Sequence, residues 1–202
     1  MRRIKNNLGW IVILLLSSAP VALWSFIKPI GERFSDLETV LLSMGQMSGL
    51  YGMAMFAVVL SLSGRFKFLE DYFGGLNRIY ITHHFFAGLA FILMIFHPLF
   101  LSGRLFFIFS PRTAALLFVP GKNWPISFGI SALVLLIILL FITFFVKSKL
   151  PYEKWKFTHK FLGLAFFLTG LHSFLVESDI SRFVPLRIYM FSLAIIGLSV
   201  YF

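Results

Sequence analysis

The chain has 202 residues, of which 59% are hydrophobic, 18% aromatic (27 of them Phe) and only 13% charged, and its mean hydropathy is +0.91. A soluble domain is about half apolar and about a quarter charged, so the composition excludes a free-standing soluble domain and indicates an integral membrane protein. Cysteine is absent, which excludes disulfides, thiolate-held zinc, iron–sulfur clusters and thiolate-ligated haem and leaves His, Met or carboxylate to hold any metal.

A spanning helix takes roughly 20 mainly apolar residues, and six stretches qualify. The first, residues 8–27, follows Arg2, Arg3 and Lys5. It reads as a retained span rather than a signal peptide, because it is long and Pro20 follows its only small-residue site, Ser17-Ser18-Ala19. The second, Leu37–Leu62, contains Gly45, Ser48, Gly49, Gly52, Ala54 and Ala57, small residues that let helices approach closely in lipid, and is expected inside the bundle. The third covers 79–101. After it, residues 104–124 form a semi-apolar segment broken by Pro111 and Pro120, expected to lie along the outer surface. The fourth, fifth and sixth spans cover 126–146, 157–176 and 184–202. The expected fold class is all-α membrane, a six-helix transmembrane bundle forming one domain over residues 1–202.

Orientation follows from the basic residues. With the N-terminus inside, one side collects Arg2, Arg3, Lys5, Arg65, Lys67, Arg78, Lys147, Lys149, Lys154, Lys156 and Lys160, and the other collects Lys28, Arg33, Arg104, Arg112, Lys122, Arg182 and Arg187. This bias places both termini in the cytoplasm of a chain in the plasma (inner) membrane. It also accounts for the net charge of +10 without a nucleic-acid partner; the bilayer is the partner the pattern implies. Trp10, Trp24, Trp124 and Trp155 fall at span ends, as an aromatic belt does.

The five histidines, at 83, 84, 97, 159 and 172, all belong to the third and fifth spans. Ionisable groups inside a bilayer are costly and point to function. Thr82-His83-x-Phe85 and Thr158-His159-x-Phe161 share a pattern, as do Gly88-Leu89-Ala90-Phe91 and Gly163-Leu164-Ala165-Phe166, and a His follows each Gly by nine residues. The repeat aligns His83 with His159, His84 with Lys160, and His97 with His172. Both helices run from inside to outside, so the aligned histidines form two levels roughly 20 Å apart. Two cofactors in series, each clamped between two helices, fit this arrangement, and a haem iron with two imidazole ligands fits best in a chain without thiolates.

One spacing resists. At 100° per residue, 14 residues from His83 to His97 return nearly to one face, whereas 13 from His159 to His172 miss it by about 140°. The fifth helix must tighten, near Gly163 or Gly170, or present its histidines from different faces; His84 with His97, also 13 apart, stays open. Basic residues suited to haem propionates are Arg78, Lys156 and Lys160 inside and Arg104, Arg182 and Arg187 outside. Two other readings of the histidines remain: a transporter that binds a metal ion or relays protons, and a scaffold in which they bond neighbouring helices.

Six spans with His pairs 14 and 13 apart on the third and fifth resemble the ferric reductase transmembrane domain shared by ferric reductases and NADPH oxidases. Leu69-Glu70 through Phe73-Gly74-Gly75-Leu76-Asn77-Arg78-Ile79-Tyr80 before His83, and Tyr152-Glu153-Lys154-Trp155-Lys156-Phe157-Thr158-His159, are similar to the cytoplasmic loops before the ligand helices of bacterial members. The resemblance covers about residues 45–172. It implies two b-type haems bound between the third and fifth helices, with His83 and His159 as iron ligands on the cytoplasmic side and His97 and His172 on the outer side. It further implies an oxidoreductase that passes electrons from a reduced flavin through inner and outer haem to ferric iron or dioxygen, with no side chain acting as acid, base or nucleophile.

Family reductases continue into cytoplasmic domains for FAD and NAD(P)H. Here no Gly-x-Gly-x-x-Gly follows a strand, and residues 187–202 end without a basic tail. The chain is therefore expected to be cut within its sixth helix, with a flavin/NAD(P)H reductase domain fused downstream. The alternative is a stand-alone haem subunit served by a separate reductase, similar to the membrane subunit of the periplasmic methionine sulfoxide reductase system. Oxidase members also place a basic residue on the second helix near the outer haem. Leu37–Leu62 carries only Glu38 at its edge, which weighs against dioxygen.

Overall fold

Every regular element is helical among the residues described by the computed structural model, which are 2–64, 66–121 and 123–201, with side chains from residue 8 onward. Arg65 and Lys122, and the side chains of Arg2, Arg3 and Lys5, all counted above for orientation, lie outside the described residues. In chain order the helices are α1 (Arg2–Ser25), α2 (Ile30–Arg33), α3 (Leu37–Leu62), α4 (Lys67–Phe73), α5 (Leu76–Ile108), α6 (Pro111–Leu116), α7 (Trp124–Phe141), α8 (Tyr152–His159), α9 (Phe161–Leu175), α10 (Asp179–Arg182) and α11 (Val184–Tyr201). A π-helical turn, Ile142–Val146, and a 3₁₀ turn, Lys147–Lys149, prolong α7.

Among the described residues, five helices are long and apolar enough to cross a membrane: Leu8–Ser25, Leu37–Leu62, Leu76–Ile108, Trp124–Lys149 and Val184–Tyr201. The all-α membrane class holds, but the expected fifth span is two helices rather than one. Lys160 separates α8 from α9. Its N–H reaches the carbonyls of Lys156 (3.3 Å) and Phe157 (3.2 Å), and the Gly163 N–H returns to the Lys160 carbonyl at 3.3 Å. Bonds to the third residue back tighten a helix, so the fifth span tightens locally at Lys160 to Gly163. The third span is longer than its apolar run suggested: α5 has 33 residues, about 50 Å of helix, and carries Arg104 inside it.

The central helix is α3. Asp36 starts it with a capping box: its carboxylate accepts the Thr39 N–H at 2.9 Å, and Thr39 Oγ1 accepts the Asp36 N–H at 3.2 Å. Its small residues work as contact points, since helices in lipid gain stability by close packing rather than by leaving water. A Cβ on Gly52 would stand 2.8 Å from the Met94 side chain of α5, and one on Gly197 of α11 would stand 3.1 Å from the Ala57 backbone. Helix α1 packs on α3 and α11 and buries Ser17 and Pro20 completely, while α7 and α9 pack as a pair.

A polar hub closes one end of the bundle. Arg33, read above as a loop charge, is only 5% exposed. Its guanidinium lies 3.6 Å from the centre of the Trp24 ring and donates to the Trp24 carbonyl at 2.9 Å, to Gln46 Oε1 at 3.4 Å and to Asp179 at 3.4 Å. Trp24 is therefore an interior platform rather than a member of an interfacial belt, while Trp124 is exposed. This hub ties α1, α2, α3 and α10 together beside Gly45.

Candidate functional site

The structure brings His97 of α5 and His172 of α9 together, with ring centres 6.2 Å apart and planes at 71°. Each ring is anchored from behind by a flanking helix. His97 Nδ1–H donates to the Gly45 carbonyl of α3 at 2.7 Å, and His172 Nδ1–H to the Pro125 carbonyl of α7 at 2.8 Å. A carbonyl only accepts, so Nδ1 carries the proton and the Nε2 lone pair is left free.

Glycine makes both approaches possible. A Cβ on Gly49 would meet His97 Nδ1 at 2.7 Å, and one on Gly129 would meet His172 Nδ1 at 2.8 Å. The two flanking helices thus repeat one device: the carbonyl acceptor at position i, with glycine at i+4 under the ring. Gly49 stood out in the sequence as a packing residue; Gly129 did not, being one small residue in an apolar run.

At the other level His83 Nδ1–H donates to the Val59 carbonyl of α3 at 3.1 Å. Val59 is among the last four carbonyls of α3, which have no partner within their own helix. His83 and His97 are 14 residues apart on α5, as are their acceptors Val59 and Gly45 on α3, so one antiparallel helix orients both. His159, the last residue of α8, interacts electrostatically with His84 and Lys147, and His83 with both His84 and His159. His84 is exposed, bonds the Tyr80 carbonyl one turn back on its own helix at 2.7 Å, and meets the His83 ring edge-on at 5.7 Å.

Of the basic candidates, Arg104 is paired with Glu38 and Arg182 with Glu177. Arg78, Lys156, Lys160 and Arg187 are exposed and have no ion pair among the described residues. Two surface clefts, one lined by Leu116, Pro120 and Ile126 and the other by Asp36, Glu38 and Arg104, contain no histidine.

The His97–His172 pair fits a haem. Two imidazoles sharing one metal at about 2 Å per bond stand with ring centres about 6 Å apart, as His97 and His172 do. No group of three or more metal-binding side chains exists among the described residues, so this pair supplies two donors and suits a metal whose other positions a macrocycle fills.

Residues 48–170 match the family described as ferric reductase like transmembrane component. The chain belongs to this family. The matched segment runs from α3 into α9, contains His83, His84, His97 and His159, and stops two residues before His172. A comparison with curated proteins gave no match. As a ferric reductase-like transmembrane component, the chain is an integral membrane protein with an oxidoreductase-related role in transmembrane electron transfer.

Proposed function

We propose that this ferric reductase-like chain carries electrons across the membrane through two b-type haems, one held by His83 and His159 and one by His97 and His172. The observation that carries this reading is the His97–His172 pair: two half-buried imidazoles with ring centres 6.2 Å apart, each with Nδ1–H fixed on a backbone carbonyl. A hydrogen-bonded Nδ1–H fixes ring direction and raises the basicity of Nε2 as a ligand. When bound, haem supplies a one-electron centre whose potential the ligands and their surroundings tune.

The rest is done by the chain's own residues. Helix α3 holds His83 and His97 at two depths about 21 Å apart along α5, and α7 holds His172. The apolar packing around them excludes water from the path. The His83–His159 level faces the basic side, which is the cytoplasmic side under the charge bias; there a reduced flavin on a fused or separate FAD and NAD(P)H reductase domain donates. Arg78, Lys156 and Lys160 stand available at that end for haem propionates, whereas Arg104 and Arg182 are engaged by carboxylates. The acceptor, ferric iron or dioxygen, is met at the His97–His172 end. A metal or proton transporter is not favoured, because among the described residues neither histidine pair has a carboxylate as a hydrogen-bond partner.

The test is optical. Purified chain is expected to show a Soret band that shifts on dithionite reduction, with two haems per chain. His97→Ala and His172→Ala should each lose about half the haem, since one of two sites loses a ligand. Full haem content in both variants would overturn the pairing, and no Soret band in the native chain would overturn the reading itself. Comparing His83→Ala with His84→Ala identifies the ligand at the other level.

A further inference from the structure

Three of the four paired histidines are oriented alike, by an Nδ1–H bond to a carbonyl on a neighbouring helix: His83 to Val59, His97 to Gly45 and His172 to Pro125. His159 is different. Its Nδ1 is buried and has no hydrogen-bond partner among the described residues. Rotation about the bond to an imidazole is soft and broad, so a ring with no polar anchor needs some other restraint to keep its plane.

Trp155 supplies one. It sits one turn before His159 on α8, where side chains four apart meet, and its indole lies against the imidazole with ring centres 5.0 Å apart and planes at 34°. The indole is itself clamped. Lys147 Nζ stands 4.5 Å from its centre, and the Tyr152 ring packs 5.8 Å away. Indole Nε1 is buried without a hydrogen-bond partner among the described residues, so the indole acts through its ring face and not through its N–H. The backbone is fastened separately, by the Tyr201 hydroxyl donating to the His159 carbonyl at 2.7 Å.

We propose that Trp155, clamped by Lys147, is the positioning residue of His159, doing by ring packing what a carbonyl does for the other three. The proposal rests on His159 being a haem ligand. Its chemical consequence is an unequal pair. A carbonyl on Nδ1–H makes Nε2 a stronger donor, so His83, which has one, donates more strongly than His159, whose Nδ1 has none and which also feels the Lys147 charge.

The experiment uses the full chain with haem bound, in neutral-lipid nanodiscs, read by the low-spin ferric EPR signals and by the rate of haem transfer to apomyoglobin. His159→Ala first identifies which signal belongs to the His83–His159 level. If that variant leaves both signals intact, His159 is not a ligand and the underlying reading fails. With the signal identified, Trp155→Leu is expected to broaden and shift it and to release that haem about tenfold faster, the scale of losing a residue that orients a ligand. The His97–His172 signal and rate should not change. Trp155→Phe keeps a ring against the imidazole and should restore both readouts. Lys147→Met, milder on packing, should speed the same release about twofold, the worth of an exposed cation–ring contact. An unaltered signal and rate in Trp155→Leu, a Phe variant that behaves as Leu, or an unaltered Lys147→Met each overturn the proposal.

Discussion

At the His97 end both imidazoles lie over glycine and donate to helix carbonyls, Gly45 within α3 and Pro125 in the first turn of α7, with acceptor and glycine one turn apart on each helix. At the His83 end the same residue type is held at helix termini. His83 uses one of the last carbonyls of α3, and His159 closes α8, beside a π-helical turn and ahead of the tightened turn at Lys160. A carbonyl with glycine one turn on gives a repeated, closely fitted seat, whereas the final residues of a helix leave backbone groups unsatisfied and direction adjustable. The charges divide the same way. All three ion pairs among the described residues, Arg33–Asp179, Arg104–Glu38 and Arg182–Glu177, lie at the His97 end, while Lys147, Lys149, Lys154, Lys156 and Lys160 have none among the described residues. One end is built as a fixed site; at the other the described lysines have no carboxylate partner, and Lys147 and Lys156 stand over the Trp155 and Tyr152 rings instead.

The largest expected break in this contrast comes from the two glycines. Gly129→Val and Gly49→Val place a branched side chain where even a Cβ lies 2.8 or 2.7 Å from the imidazole, and helix backbone on one side gives no room to retreat. Each should displace its histidine and remove the haem of the His97–His172 level, leaving about half of the Soret absorbance and the other EPR signal unchanged. Gly88→Ala, whose Cβ would meet nothing within 4 Å, should keep both haems and gain slightly in helix propensity. Two full haems in Gly129→Val would mean that the ring is not seated by glycine.

Much of this contrast was legible in the residues, for reasons that are local. The bounds of α3 coincide with an apolar run closed by Asp36 and by Ser63-Gly64, and the histidine levels follow from spacing along one uninterrupted helix. The 13-residue spacing even announced a distortion in the fifth span, but not its place, since the choice of a third-residue bond at Gly163 depends on backbone geometry that Gly163 and Gly170 permit equally. Arg33 misled for another reason. Its burial requires Asp179, 146 positions away, and a charge between two spans reads by default as a topology signal. Gly129 was silent because only the ring of His172, across a helix interface, gives it meaning.

Arg33 offers the next, smaller effect. Arg33→Met removes the buried guanidinium and leaves Asp179, Gln46 and the Trp24 carbonyl with fewer partners. A fully buried pair broken from one side costs about 3–5 kcal/mol; with Asp179 18% exposed, a loss on the order of 2 kcal/mol is expected here. Because Gln46 adjoins Gly45, the variant should also release haem faster from the His97–His172 level than from the other, measured by transfer to apomyoglobin together with thermal midpoint. Equal acceleration at both levels would sink the idea that the hub serves one end.

The smallest effect lies at the tip of α3, where the two ends differ in how that helix is closed: by a dedicated capping box at Asp36, and by Ser63 together with His83 at the far terminus. The Asp36 carboxyl titrates below its ordinary value of 3.8, chiefly because the Thr39 N–H donates to it. A group depressed on folding stabilises the fold above the unfolded value, and that contribution disappears as pH falls through the folded one. The cap residue is fully exposed, so the shift in thermal midpoint should be slight. Asp36→Asn keeps an acceptor at every pH, and Asp36→Ala keeps none. Between about pH 6 and pH 3, around the usual carboxylate range, the margin of the native chain over Asp36→Ala should shrink, while that of Asp36→Asn over Asp36→Ala stays level. If the native margin is also level, the ionised carboxylate is not what closes this end of α3, and the two ends differ less than their hydrogen bonds indicate.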